Sequence, residues 1–318
     1  MMRGFIWNSG TASEAGFGAA SVKFGDVDLV WLHLDGREPA ARQWLNEQND
    51  IPEIVRGAIL ASETRPRSDT IDGGALINLR GLGATPEDDP DSLVSMRFWA
   101  ENGRVISLTY RSPLALDPVI AQFLAGKIND PGDLIATFAS IITDGLDPHI
   151  AEMGDKLDMI ETMLETDTLA QLRRKVNSVR ADAIGYRRFV APQRTAIERL
   201  ATAPCNWLDA DDRLHLREAA DRFARMAEEL ESVRERAAIV HDELTDLRAE
   251  QLDKRGLVIA IVAFVFLPLT FLTGLLGMNV DGIPFAKAPW AFMGVVLLCA
   301  VIGIAVITYF VRGHWLER

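Results

Sequence analysis

The residues whose chemistry stands out are Gly277, Met278 and Asn279, which follow an apolar run of twenty uncharged residues, Leu257 to Leu276. An asparagine amide is neutral and both donates and accepts hydrogen bonds. A ring of such amides from several chains could hold a hydrated cation through its water shell without trapping the ion. Taken alone, the same three residues are more often an ordinary helix C-terminus.

Small residues gather on one face of this apolar run. Helical steps of three and four residues connect Gly256, Ala260 or Ile259, Ala263, Leu267, Thr270 and Gly274. Such a face can line a polar path, although the pattern alone favours close packing of two helices. Pro268 removes a backbone donor within the run and is compatible with a kink in a membrane helix.

Two segments are long and apolar enough to span a bilayer, Leu257 to Leu276 and Ala288 to Val311. Lys254 and Arg255 precede the first and Arg312 follows the second, so the positive-inside rule predicts two cytoplasmic termini and an external connection. The N-terminus lacks the apolar core of a signal peptide, and we therefore expect an inner (plasma) membrane protein with a cytoplasmic soluble part. Two spans cannot enclose a polar path, so transport would require an oligomer.

The part that precedes the spans is acidic. The net charge is −12, and residues 257–318 contribute +1, which leaves −13 for the first 256 residues. This balance should repel nucleic acid and concentrate cations, although solubility alone also explains it. Cys205 and Cys299 are the only cysteines, so one chain can build neither a disulfide framework nor a cysteine-based zinc site.

The first 125 residues or so alternate short β-type and helical runs, which predicts an α/β domain. Predicted strands lie at 29–34, 75–79, 93–99 and 105–110, predicted helices at 39–48 and 52–60, and a predicted loop at 81–91. The last two strands should form a hairpin, since the residues between them include Asn102-Gly103. Asp72-Gly73-Gly74 is predicted to be a turn and lacks the third glycine of a dinucleotide-binding loop.

From about residue 131 apolar residues recur with heptad spacing, which predicts long helices. One series is Leu169, Leu172, Val176, Val179, Ala183, Tyr186 and Val190; the other is Leu216, Ala219, Phe223, Met226, Leu230, Val233, Ala237, Val240, Leu244 and Leu247. Because Pro192 and Pro204 lie between the series, we expect a turn there that folds the earlier helix antiparallel onto the later one. The later helix is expected to continue into the first span.

These patterns predict six segments. They are a cytoplasmic α/β domain (1–130), a long-helix stalk (131–256), a first span (257–276), the Gly-Met-Asn motif with an external loop (277–287), a second span (288–311) and a basic cytoplasmic tail (312–318).

The run Pro-Leu-Thr-Phe-Leu-Thr-Gly-Leu-Leu-Gly-Met-Asn from Pro268 to Asn279, followed by a short loop, a second span and a basic tail, resembles the CorA superfamily of two-transmembrane GxN metal-ion transporters. The resemblance implies an α+β membrane protein that forms a homopentameric funnel, with divalent metal ions and membrane lipid as partners and no resident cofactor. It implies a selectivity filter of Gly277, Met278 and Asn279, in which Asn279 holds the hydrated cation. It also implies a pore-facing line of Asp253, Gly256, Ile259, Ala263, Leu267, Thr270 and Gly274, with Leu267 and Ile259 as apolar constrictions able to gate by dewetting.

The same resemblance bears on the ion. Magnesium members usually place an aromatic residue before Gly-Met-Asn and an acidic Met-Pro-Glu type loop after it. This chain has Leu276 and the sequence Val280-Asp281-Gly282-Ile283-Pro284 instead, which resembles the Gly-Ile-Pro loop of the ZntB zinc-transporter branch, associated with proton-coupled zinc uptake. Zinc is therefore the first expectation, with magnesium, cobalt or nickel as alternatives.

The soluble residues do not select zinc independently. The five histidines are scattered, and none has a histidine or cysteine neighbour at ligand spacing. His241-Asp242-Glu243 could bind a metal, although a solvated charged face explains it better. Asp209, Asp211 and Asp212 are interpreted as a helix start, where their charges interact favourably with the helix dipole. An ion sensor is the second interpretation.

Two other classes of protein fit the sequence less well. A membrane-tethered signalling or scaffold protein would explain the heptads and the two spans, but it does not explain Gly-Met-Asn after a Pro-Leu-Thr run. An enzyme is not expected, because the sequence contains no nucleophile–base set, phosphate loop or zincin motif.

Overall fold

The computed structural model describes residues 2–16, 26–61, 65–85, 93–163, 168–278 and 288–312. The chain divides into two compact units, Met1–His241 and Asp242–Arg318. The boundary between them falls within one long helix, so each unit is described separately.

The first unit is built on a mixed sheet of seven strands in the order β2-β1-β3-β7-β6-β5-β4. The strands are β1 (Arg3–Asn8), β2 (Thr11–Glu14), β3 (Leu29–Asp35), β4 (Arg67–Ile71), β5 (Gly74–Gly81), β6 (Val94–Glu101) and β7 (Arg104–Thr109). Only the β3–β7 pair is parallel. All four predicted strands are present, as β3, β5, β6 and β7, whereas β1, β2 and β4 were not predicted.

Two tight turns explain how the edges of this sheet form. Asp72 and Gly73 have φ values of 48° and 83° between β4 and β5, and Ser9 and Gly10 have values of 46° and 86° between β1 and β2. Positive φ at both central residues is the geometry of type I′ turns, whose twist matches that of paired antiparallel strands. The predicted turn at Asp72-Gly73-Gly74 is therefore confirmed as a hairpin.

The helices are α1 (Pro39–Glu47), α2 (Glu53–Leu60), α3 (Leu116–Leu124), α4 (Pro131–Thr162), α5 (Leu169–Ala201), α6 (Ala210–Leu276) and α7 (Ala291–Arg312). Leu45, Val55 and Ile59 of α1 and α2 cover one face of the sheet in a common apolar cluster with the strand residues Leu32 and Trp99. On the other face, aromatic rings from the strands and from α3 and α4 meet, with Trp31 and Phe138 at 5.7 Å and Phe98 and Phe138 at 4.9 Å between centroids. Helix α5 packs along β4 and β5.

Helices α4, α5 and the first part of α6 form a bundle whose directions follow from two ion pairs and from the short connections between successive helices. Arg222 bonds Asp144 at 2.6 Å and Arg236 bonds Asp158 at 2.5 Å, and both pairs are 78 residues apart in sequence. A constant separation means that α4 and α6 run parallel. Helix α5 lies antiparallel to both, because only residues 163–168 connect it to α4 and residues 202–209 to α6; Arg187 of α5 bonds Glu231 of α6 at 2.9 Å.

The antiparallel α5–α6 arrangement is as predicted, but the turn does not involve Pro192. Helix α5 continues through Pro192 to Ala201, and α6 begins at Ala210. Proline removes only the bond to the carbonyl of Arg188, while Val190 and Ile197 on either side are fully buried. Packing of the flanking turns therefore keeps the helix continuous, and the turn falls at 202–209.

Because α4 and α6 are parallel, their N-termini lie side by side, and each carries the partial positive charge of its helix dipole. Asp130 caps α4, with its side chain 2.9 Å from the amide of Asp133. Asp209 accepts from the amide of Asp212 at 2.8 Å, and Asp212 accepts from the amide of Asp209 at 2.9 Å. The interpretation of Asp209 and its neighbours as a helix start is confirmed.

Asp212 is the most enclosed of these carboxylates, with 1% of the residue exposed. Its Oδ2 lies against Gly132 at the start of α4, where a Cβ atom would approach it to 2.0 Å. The pKa of Asp212 is raised to about 7, chiefly by burial and also by the nearby carboxylates of Asp130, Asp209 and Asp133, against the amide of Asp209, which lowers it. Burial likewise raises the pKa of Asp130 and Asp133.

Replacing Asp212 by asparagine should stabilise the protein at alkaline pH. In the folded chain Asp212 holds its proton up to about pH 7, whereas in the unfolded chain it titrates near 3.8, so wild-type stability is lost as the pH rises from about 4 through about 7. Asp212→Asn keeps an acceptor for the Asp209 amide and cannot ionise, so the variant does not lose stability over this pH range. Its advantage in unfolding free energy should grow by up to about 4 kcal/mol between pH 4 and pH 8.

Thermal unfolding of the detergent-solubilised chain at several pH values checks this. Asp211→Asn is the matched control, because Asp211 lies in the same turn but is exposed. An equal pH dependence of the two variants would contradict the assignment of the proton to Asp212.

Candidate functional site

The candidate site residues lie at the C-terminal end of α6, in the second unit. Helix α6 and helix α7 each contain a stretch long and apolar enough to cross a membrane, and neither stretch is buried within the chain. The predicted first span is helical throughout, as the C-terminal part of Ala210–Leu276. The predicted second span is helical from Ala291, so its first three residues, 288–290, precede the helix.

The two helices pack through one face each. On α6 the half-buried residues of the span are Leu257, Ile261, Val265, Leu269, Leu272 and Leu276. On α7 they are Ala291, Gly294, Val295, Cys299, Ile302, Gly303, Val306 and Phe310. Phe264 and Phe310 meet edge to face with their ring centroids 5.9 Å apart. Steps of three and four residues place each set on a single helix face, so these sets form the contact between α6 and α7.

The predicted pore-facing line lies on the opposite face of α6. All seven of its members are exposed in the single chain: Asp253, Gly256, Ile259, Ala263, Leu267, Thr270 and Gly274. Ile259 is 69% exposed and Leu267 is 76% exposed. A Cβ atom added at Gly256 or Gly274 would meet nothing within 4 Å. The small residues of this line are therefore not used for packing against α7.

Pro268 interrupts the hydrogen bonds of this stretch, because it cannot donate to the carbonyl of Phe264. Two threonine hydroxyls follow it in the next turns of the helix. The Thr270 hydroxyl donates to the carbonyl of Phe266 at 2.7 Å, and the Thr273 hydroxyl donates to that of Leu269 at 2.9 Å. A hydroxyl that has donated its proton to the helix still has lone pairs available. The Thr270 oxygen can therefore accept a hydrogen bond from the water shell of a cation on the exposed face.

At the end of α6 the structure describes two of the three predicted filter residues. The amide of Gly277 donates to the carbonyl of Thr273 at 2.9 Å, and a Cβ atom at Gly277 would lie 3.0 Å from that carbonyl oxygen. Met278 is 51% exposed. Asn279, the predicted filter residue, and the loop through residue 287 lie outside the described residues.

The soluble unit offers one group of three potential metal ligands within the part of the chain that the structure describes. Carboxylate oxygens of Asp130, Asp133 and Asp212 lie within 4.8 Å of one another. Their role as helix caps already accounts for them. The sequence alone singled out Asp212 but not Asp130 and Asp133, because only the parallel packing of α4 and α6 brings the two helix starts together.

His33 is buried in β3, with Nδ1 2.9 Å from the hydroxyl of Ser107. Burial, reinforced by Arg3, lowers the pKa of His33 to about 4. It is therefore a neutral core residue at physiological pH.

Comparison with known proteins agrees with this architecture. The family described as CorA-like Mg2+ transporter protein matches residues 26–312. A "Zinc transport protein ZntB" of Pectobacterium carotovorum subsp. carotovorum (strain PC1) is 34% identical over 92% of this chain and 91% of its own length. The "Divalent cation transporter CmaX" of Pseudomonas aeruginosa (strain PAO1) is 34% identical over 91% of this chain and 88% of its own length.

Solved structures show the same fold. The full-length CmaX protein has a TM-score of 0.82 at 31% identity, over 98% of this chain and 96% of that chain. The CorA magnesium transporter of Methanocaldococcus jannaschii has a TM-score of 0.83 at 16% identity, over 99% and 98% of the two chains. Because the family match spans nearly the whole chain, this protein belongs to the CorA-like Mg2+ transporter family and is a divalent-cation transporter, not an enzyme.

Proposed function

We propose that this chain is the subunit of a homopentamer that moves zinc across the inner (plasma) membrane through a pore lined by the exposed face of α6, with Asn279 as the selectivity ring. The observation that carries the proposal is the division of α6 into two faces. Helix α7 covers the leucine-rich face, and the face with Gly256, Ala263, Thr270 and Gly274 is left exposed in the single chain.

An oligomer follows from the number of spans. Two helices per chain cannot surround a polar path, so several copies must each contribute one helix. Helix α7 suits the outer position, because its contact with α6 uses the face of α6 that lies away from the small residues. The number five comes from the resemblance of the Pro-Leu-Thr to Gly-Met-Asn segment to the CorA superfamily.

The proposed pore has polar and apolar levels. Leu267 and Ile259 would form apolar rings, where water is unstable once the opening narrows, so these levels can close the pore without a moving plug. Thr270 offers a hydroxyl oxygen between them and the filter. Asp253, exposed before the span, would place a ring of carboxylates at the cytoplasmic end.

The orientation is inferred from charge. Lys254 and Arg255 lie before the first span and Arg312 lies at the end of α7, which favours cytoplasmic placement of both ends. Lys254 is held by Glu250 at 2.7 Å. The connection that contains Asn279 would then lie outside, and the filter would face the external solution.

Zinc is preferred to magnesium because the filter is preceded by Leu276 and followed by Gly282-Ile283-Pro284, as expected of the ZntB branch. Relatives with 34% identity are named as a zinc transport protein and as a divalent cation transporter, which supports zinc without excluding the cobalt, nickel and magnesium alternatives. Coupling to protons is proposed on the same resemblance. The transported cation is cargo, and no resident cofactor is proposed.

Replacing Asn279 by alanine should abolish zinc flux into sealed liposomes that contain the purified protein, because the variant loses the amides that hold the water shell of the cation. Zinc and magnesium entry are measured with ion-specific dyes at several pH gradients. Asn177→Ala, the same substitution at an exposed position of α5, should transport like the wild type. Magnesium flux without zinc flux would overturn the choice of ion, and flux that survives Asn279→Ala with an intact oligomer would overturn the filter.

Replacing Leu267 by alanine should raise the resting leak of cations, because a wider apolar ring stays hydrated more of the time. Leu275→Ala is the matched control, since Leu275 is 54% exposed but lies off the proposed pore line. Flux is compared in the same liposomes without an applied proton gradient. Equal leak in both variants would argue that Leu267 faces lipid or a neighbouring helix and not the pore.

A further inference from the structure

Helix α4 contains three residues that weaken a helix within ten positions, Gly145, Pro148 and Gly154. Glycine and proline are the two residues least favourable in a helix interior. Pro148 has no amide hydrogen, so the carbonyl of Asp144 loses its partner within the helix. A continuous helix of 32 residues nevertheless runs through all three.

Packing does not require either glycine. A Cβ atom at Gly154 would meet nothing within 4 Å, and one at Gly145 would lie at ordinary contact distance, 3.8 Å from Leu82 and 3.9 Å from Leu114. A cavity of about 270 Å³ adjoins Gly145. Neither residue has a positive φ, so alanine would fit at both positions and would favour the helix.

Helix α5 is weakened at the same level. The ion pairs Asp144–Arg222 and Asp158–Arg236 lie just before and just after the weak stretch of α4, so residues 222–236 of α6 run beside that stretch. Arg187 of α5 pairs with Glu231, which lies within this part of α6. Gly185 and Pro192 of α5 lie on either side of Arg187. Both helices of the α4–α5 hairpin therefore carry a glycine and a proline at one level of the bundle.

Helix α6 differs from its two neighbours at this level. From Arg222 to Arg236 it contains neither glycine nor proline, so its backbone hydrogen bonds are complete in principle. Beyond the weak level, α4 is tied to α6 by Arg236, which bonds Asp158 at 2.5 Å and Glu161 at 3.0 Å. These groups are between one third and two thirds exposed, and ion pairs exposed to this degree add little stability.

We propose that the α4–α5 hairpin bends at residues 145–154 and 185–192 while α6 stays straight, and that this bend regulates ion transport. Bending changes how the outer part of the hairpin supports α6, the helix that carries the proposed pore line, so the regulatory part rests on the proposed function. On this proposal Gly145 and Gly154, which packing does not require, allow α4 to bend.

Substituting alanine for Gly145 and Gly154 in the full-length protein tests the proposal. Each substitution favours the straight helix about fivefold, so the double variant should melt at a higher temperature and change the zinc flux in liposomes by about fivefold or more. Gly57→Ala is the matched control, because Gly57 lies in α2 and a Cβ atom there would also meet nothing within 4 Å. It should stabilise its helix and leave the flux unchanged. A double variant that is stabilised but transports like the wild type would overturn the regulatory role.

Hydrogen exchange tests the bend without reference to transport. In the wild type, amides of residues 145–154 should exchange at least about tenfold faster than those of residues 222–236, because opening of the weak turns costs less. The double variant should remove most of that difference. Equal exchange in the two segments of the wild type would overturn the bend. If exchange differs as expected but no protein, wild type included, transports any divalent cation, the bend stands and the proposed function fails.

Discussion

The parallel alignment of α4 and α6 is the constraint on which the rest of the soluble unit depends. Two helices that start side by side bring two partial positive charges together, which is unfavourable unless acidic groups lie between them. Asp130 and Asp133 at one start and Asp209 at the other supply those groups, while Asp212 holds its proton up to about pH 7. The close approach of Asp212 to Gly132 fixes the axial position of α6 relative to α4. The ion pairs of Arg222 and Arg236 keep the same register further along the bundle.

The membrane-spanning part of α6 follows a different rule, because burial there is set by one neighbouring helix. Residues toward α7 are mostly leucine, and residues on the opposite face are mostly small or hydroxylated. In a soluble helix the exposed face would be charged. A face of glycine, alanine and threonine is typical of membrane helices that pack closely against another protein surface. The asymmetry of this one helix therefore supports the proposed assembly of several chains.

The sequence predicted those parts of the fold in which burial is two-sided or periodic. Strands β3, β5, β6 and β7 are apolar runs, and the heptads of α5 and α6 specify long helices, so both kinds of element were recognised. The edge strands β2 and β4 were missed because Thr11–Glu14 and Arg67–Ile71 are short and polar; their pairing comes from type I′ turns and not from apolar pattern. Pro204 lies in the turn at 202–209, as predicted, whereas Pro192 does not interrupt α5, because tertiary packing on both sides outweighs the loss of one hydrogen bond.

For the candidate site, spacing alone identified the line on α6 but could not say which face α7 would take. That choice depends on contacts between segments far apart in sequence, such as Phe264 with Phe310. The group of three carboxylates was likewise invisible, because Asp130 and Asp212 are 82 positions apart and meet only through the bundle.

The parallel course of α4 and α6 also restricts how this family member can change in length. The chain must travel out along α4 and return along α5 before α6 can start beside α4. Residues added to α4 between Asp144 and Asp158 would shift Asp158 along α6 and separate it from Arg236. An insertion or deletion in this part of the bundle therefore needs a matching change in α6 between Arg222 and Arg236, and one in α5 at the same height, to keep both ion pairs.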